Sequence, residues 1–255
     1  MQPLNPEAIF GSRITNQSLK RWLHSLPGVD KVGLEARAAA LATRSIKTSS
    51  KAWALDAAIK MMDLTTLEGM DTEERVRSLC LKALTPDPTD LDCPRPAAIC
   101  VYGDMVKHAK KALGDSGIYV AAVATAFPSG RASVPVKLLD TKDAVKAGAD
   151  EIDMVISRGA FLEGDFVRVS DEIAAVKEAC GEAHLKVIFE TGELQTYDHV
   201  RFVSQLAIEA GADFIKTSTG KVAPAATLAV TLVLVETVRD HYLATGKRIG
   251  VKPAG

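Results

Sequence analysis

The sequence predicts an α/β protein in which parallel strands curl into a barrel with helices outside, and three observations predict it. From about residue 55 onward, short apolar strands alternate with amphipathic helices, which is the pattern of a parallel sheet. Those strands carry polar residues on one face. Lys186, Ile188 and Glu190 oppose Leu185, Val187 and Phe189, while Glu151, Asp153 and Val155 oppose Ile152, Met154 and Ile156. Lys216 shares a face with Ser218, and Gly250 with Lys252. A doubly wound sheet is buried on both faces and reads as continuous apolar runs, so the alternation favours a barrel with a polar interior. Finally, Ala-Gly-Ala-Asp recurs at 147–150 and 210–213, each time as a helix stop leading into a strand.

Residues 1–55 read as a helical N-terminal extension. Helices are expected over 17–26, over 33–42 and leading into 53–58, with a loop at Pro27-Gly-Val-Asp30. Residues 56–255 form the barrel. Its expected strands are 60–65, 97–102, 119–125, 151–156, 184–190, 214–219 and 248–253. Its expected helices are 71–84, 104–113, 134–147, 166–179, 197–210 and 227–245. Asp71-Thr-Glu-Glu places acidic residues at the positive end of its helix dipole. Phe127-Pro-Ser-Gly130 reads as a structural loop at the barrel mouth. Seven strands at near-even spacing leave an eighth beyond Gly255, so a barrel of seven strands out of eight is expected.

Composition excludes several classes. Hydrophobic residues make up 47% and charged residues 25%, an ordinary globular balance. A net charge of −1 supplies no field for nucleic acid or an acidic membrane, so neither is expected as a partner. No run is long enough to span a membrane, and the start Met1-Gln-Pro-Leu-Asn-Pro-Glu lacks the pattern of a secretory signal. Cys80, Cys93, Cys100 and Cys180 show no metal-type spacing and read as reduced thiols of a cytoplasmic protein, with Cys93 the most exposed. The histidines (His24, His108, His184, His199, His241) are scattered and no HExxH occurs, so no metal is expected.

The chemistry centres on Phe214-Ile-Lys-Thr-Ser-Thr219 followed by Gly220-Lys221. A lysine inside an apolar strand is costly unless paired or used. The turn after it, with Thr219, Gly220 and Lys221, offers backbone N–H groups and a cation to a phosphate. Val222 stands where a nucleotide P-loop needs Ser or Thr. Lys216 is therefore the candidate nucleophile, and it must lose its proton to attack a carbonyl. Lys252 on the next strand is expected to stay charged and to lower the Lys216 pKa by repulsion. Asp153, one strand removed on the other side, is expected as proton relay, with Lys186 between the two as its partner. A plain Asp153–Lys186 salt bridge is the alternative. Asp63 either binds substrate hydroxyls or holds the lysine network, and a helix cap or a turn is the alternative. Glu190-Thr-Gly-Glu193 reads as a turn.

These segments closely resemble the deoxyribose-phosphate aldolase family. The resemblance rests on Met62-Asp-Leu-Thr-Thr-Leu67, Ala97-Ala-Ile-Cys-Val-Tyr102, Glu151-Ile-Asp-Met-Val155, His184-Leu-Lys-Val-Ile188, Glu190-Thr-Gly-Glu-Leu194, Phe214 to Lys221 and Val251-Lys-Pro-Ala-Gly255. It covers about residue 55 to the end, in order. It implies a TIM (β/α)8 barrel and a cofactor-free class I aldolase. The implied reaction is reversible cleavage of 2-deoxy-D-ribose 5-phosphate to acetaldehyde and D-glyceraldehyde 3-phosphate, a step in deoxyribonucleotide catabolism. By motif, Lys216 resembles the Schiff-base lysine, Asp153 the proton relay, Lys252 the tuning lysine and Lys186 the partner of Asp153. Asp63 resembles an active-site carboxylate, and Gly220, Lys221 and Gly255 part of the phosphate site. The family continues past Lys-Pro-Ala-Gly with a second Gly, an Arg-containing helix and an eighth strand, and this sequence stops at Gly255. Two alternatives stay open: an inactive truncated paralogue or fragment, and a lysine aldolase for another sugar phosphate. A phosphorylated sugar is the expected partner, and a homo-oligomer is left open.

Overall fold

The computed structural model describes residues 14–255, so the expected absence of a signal at Met1 to Glu7 lies outside the described residues. Helices α1 (Asn16–Ser25), α2 (Lys31–Ala42) and α3 (Thr48–Met61) precede the sheet. Strand β1 (Asp63–Thr65), helix α4 (Glu73–Leu84), β2 (Ala98–Tyr102), α5 (Val106–Leu113), β3 (Tyr119–Val123), α6 (Val134–Ala147) and β4 (Glu151–Val155) follow. Helices α7 (Arg158–Glu163) and α8 (Phe166–Cys180) lead to β5 (His184–Ile188), α9 (Tyr197–Glu209), β6 (Phe214–Lys216), α10 (Leu228–Thr245) and β7 (Gly250–Lys252).

All seven strands are parallel and lie side by side in chain order, β1 through β7. A doubly wound sheet would reverse its strand order at a switch point, and this one never does. The order is that of a barrel wall wound in one direction, as expected from the polar face of the strands.

The two faces of the sheet are built differently. Ile99, Val101, Val120, Ile152, Met154, Leu185, Val187 and Ile215 face the helices and belong to one large buried core. The inner face carries a small separate cluster of Leu67, Ala98, Cys100, Ala121 and Val123. Small residues on β2 and β3 leave interior volume that the long charged side chains of β4, β5 and β6 occupy.

Each Ala-Gly-Ala-Asp motif does the same work. Gly148 and Gly211 adopt positive φ and end their helices. Asp150 Oδ2 then accepts the Val120 N–H at 2.7 Å and pairs with Lys110 at 3.0 Å. Asp213 Oδ2 accepts the Leu185 N–H at 2.7 Å and pairs with Lys177 at 2.6 Å. In both cases the aspartate fixes the start of the neighbouring strand.

Several boundaries differ from expectation. The strand expected from residue 60 begins at Asp63, because α3 runs through Met61. Its Ala-rich composition favours helix. Gly103–Met105 forms a 3-10 turn ahead of α5. The short helix α7 was not expected. The strands after β2 end one to three residues earlier than expected, and β7 begins two residues later than expected.

Candidate active site

The functional side chains project from the inner face of β1, β4, β5, β6 and β7. Asp153 pairs in register with Lys186, and Lys216 with Ile188 and Lys252. Lys216 reaches across the intervening β5, and its Nζ donates to Asp153 Oδ2 at 2.5 Å. Lys186 Nζ lies 3.1 Å from Asp153 Oδ1, 3.1 Å from Asp63 Oδ2 and 2.5 Å from Glu151 Oε2. Asp153 Oδ1 has no hydrogen bond in acceptable geometry, so its contact with Lys186 is an ion pair only. Lys252 Nζ lies 2.5 Å from Asp63 Oδ1 and donates to the Met61 carbonyl at 3.0 Å. The five side chains expected to form a network, Asp63, Asp153, Lys186, Lys216 and Lys252, are thus joined in one chain of contacts. Glu151 also belongs to it; its place two residues before Asp153 on the same strand face was the available signal.

Electrostatics correct one expectation. The sequence predicts a depressed Lys216 pKa. Burial does push Lys216 down, but the Asp153 carboxylate outweighs it, and the pKa is raised. Lys252 spends its charge on Asp63. Burial raises Asp153, yet Lys186 and Lys216 overcome this and hold it down at about 2. Lys186 is held well above its ordinary value because three carboxylates offset its burial. The resting pair is therefore ammonium and carboxylate. Cys100 sits in the same interior, and burial chiefly pushes its thiol up to about 12, so it stays neutral.

Beyond β6, Thr217 ties the two last strands together. Its N–H donates to the Lys252 carbonyl at 3.1 Å, and its hydroxyl accepts the Ala254 N–H at 3.0 Å. This brings Gly220 beside Gly255: a Cβ on Gly220 would lie 3.9 Å from the Gly255 Cα. Gly255 has φ +148, and a Cβ there would meet the Ala225 Cβ at 2.2 Å, so only glycine fits. Lys221 lies at the same corner, where its Nζ bonds Glu68 Oε1 at 2.7 Å. Thr219 is engaged differently from expectation. Its hydroxyl is committed to Glu190 and to the Lys221 N–H. Ser218 is fully buried with no hydrogen bond for its hydroxyl among the described residues. His184 starts β5 at the end away from these residues, as expected. All four cysteines are free, with Cys80, Cys100 and Cys180 buried and Cys93 half-buried. No cluster able to hold a metal and no helix long and apolar enough to cross a membrane occurs among the described residues.

Residues 57–255 match the DeoC/LacD family of aldolases. The chain is 44% identical over 224 residues to human deoxyribose-phosphate aldolase, covering 84% of this chain and 70% of the human one. The bovine deoxyribose-phosphate aldolase is 42% identical over the same length. Among solved structures, a proposed deoxyribose-phosphate aldolase from Coccidioides immitis superposes with a TM-score of 0.74 at 25% identity, over 94% of this chain and 85% of that one. The tetrameric deoxyribose phosphate aldolase of Aeropyrum pernix gives 0.64 at 26% identity, over 78% of each chain.

Proposed function

Because this chain belongs to the DeoC/LacD family of aldolases, we propose that it cleaves 2-deoxy-D-ribose 5-phosphate reversibly through a Schiff base on Lys216. The observation that carries the reading is the buried Lys216 Nζ held 2.5 Å from Asp153 at the inner end of β6, one turn from the Gly220–Gly255 corner.

The amine of Lys216 adds to the C1 aldehyde once its proton has left, and the carbinolamine loses water to give an iminium. Asp153 takes up and returns protons at the carbinolamine oxygen and at C2. The iminium draws electrons from the C2–C3 bond as the C3 hydroxyl loses its proton, releasing glyceraldehyde 3-phosphate and leaving an enamine. Protonation of C2 and hydrolysis then release acetaldehyde. Lys186 keeps Asp153 ionised and in place, and Lys252 positions Asp63. The turn at Gly220 and Lys221, with Gly255, offers backbone N–H groups and a cation to the 5-phosphate. No cofactor is needed in this scheme. The A. pernix tetramer supports association of like copies, and the free cysteines support a cytoplasmic setting.

Borohydride trapping with deoxyribose 5-phosphate tests the reading. An adduct mapped to Lys216, lost in Lys216→Leu, is expected. A folded protein that gives no adduct, or gives one equally in Lys216→Leu, overturns it.

A further inference from the structure

Glu190, two residues past the end of β5, is in an unusual state. It is fully buried and adopts a left-handed backbone, φ +56, which non-glycine residues rarely accept. Its two oxygens both go to one residue on the next strand's exit. Oε1 accepts the Thr219 N–H at 3.2 Å, and Oε2 accepts the Thr219 hydroxyl. The Thr219 hydroxyl in turn accepts the Lys221 N–H at 3.1 Å. Behind the carboxylate lies Arg158, 3.6 Å from Oε2, itself held by Glu193 at 2.9 Å and by the Ser129 carbonyl at 3.0 Å. A plain turn requires neither a buried carboxylate nor an arginine beneath it. Such strain persists only where surrounding contacts over-determine it, and it gathers at functional sites.

We propose that Glu190 is a positioning residue for the substrate's phosphate: with Arg158 behind it, it sets the Thr219–Gly220–Lys221 turn in the shape that receives the 5-phosphate. The inference rests on the aldolase reading above. Among the described residues the Glu190 carboxylate has hydrogen bonds or ion pairs with Thr219 and Arg158 and with neither Lys216 nor Asp153. Its removal therefore acts on recognition of the phosphate and spares the lysine chemistry.

The experiment compares deoxyribose 5-phosphate with unphosphorylated deoxyribose. Losing hydrogen bonds to a charged acceptor predicts that Glu190→Ala raises KM for the phosphorylated sugar about tenfold with kcat little changed. Activity on deoxyribose moves much less. Glu190→Gln, which keeps an acceptor oxygen for the Thr219 N–H, recovers part of the loss. Equal losses on both sugars, or an unchanged KM for the 5-phosphate, overturn the proposal. If Glu190→Ala does not fold, Thr219→Val takes its place, with the same selective loss expected and Thr219→Ser restoring it. Borohydride trapping of the unaltered protein with acetaldehyde separates the two readings. No adduct on Lys216 overturns the aldolase reading and this one with it, whereas a normal adduct with unselective variants overturns only the role of Glu190.

Discussion

Asp153 answers two ammonium groups at once, Lys216 at 2.5 Å and Lys186 at 3.1 Å, from a fully buried position. Its removal has a definite sign. Lys216 is raised because Asp153 outweighs burial. In Asp153→Asn, burial and the charge of Lys186 both push Lys216 down, so it loses its proton at lower pH. The initial rate of borohydride trapping with acetaldehyde should then reach its plateau at lower pH than in the unaltered protein, even as turnover collapses. An unshifted profile would mean that Asp153 does not set the protonation of Lys216. These residues were legible in the sequence because strand alternation alone puts Lys216, Lys186 and Asp153 on one face. Holding the lysines was one expected role for Asp63, but its pairing with Lys252 in particular was not legible, since the two lie at opposite ends of the strand order and only the curl of the sheet brings them together. Glu190 was missed for a similar reason: its value lies in Thr219, across a strand boundary that no local pattern marks.

Helices α6 and α8 are joined by a charged clasp outside the catalytic interior. Lys137 and Glu172 are both almost fully buried, 2.9 Å apart, and Ser157 bridges them at 2.8 and 2.6 Å. Removing one member of a buried pair costs about 3–5 kcal/mol, and toward the lower end here because Glu172 keeps Arg168 at 3.2 Å. Lys137→Met should therefore lower the melting temperature by on the order of 10 °C. Adding Glu172→Met should recover most of that, because two apolar side chains replace the pair. A single variant as stable as the parent would show that the clasp is neutral. Element boundaries were harder to read than element order. Residues 217–219 look like strand by composition; the Thr217 N–H still bonds the Lys252 carbonyl, but its hydroxyl takes the Ala254 N–H and Thr219 turns to Glu190, so the regular strand stops at Lys216. Helix α7, six residues long, is too short for periodicity to show.

At the scale of the whole molecule, β1 and β7 pair with β2 and β6 alone among the described strands. Among the described residues Lys252 spans these two edges, reaching Asp63 and the Met61 carbonyl. Lys252→Leu should loosen this seam. Amides of β1 should exchange about tenfold faster, as the loss of a charged hydrogen bond implies, while β3 and β4 keep their protection. Equal exchange in both proteins would mean that the edges are held by other contacts. The barrel class was legible because polar residues recur on one strand face. How the first strand meets the seventh was not, since sequence spacing counts strands but does not say how far they curl.

The contact chain through the interior has a consequence in the tally of its charges. Lys186, Lys216 and Lys252 carry three positive charges; Asp63, Glu151 and Asp153 carry three negative ones. The group is neutral as a whole only while the Lys216 nitrogen is a cation. A free amine there leaves an uncompensated negative charge in a medium that tolerates it poorly. A protonated imine restores the balance without moving another atom. In the proposed mechanism the resting ammonium is thus a stand-in for the iminium, and a site that holds the proton on Lys216 so firmly suits the intermediate that would follow its loss.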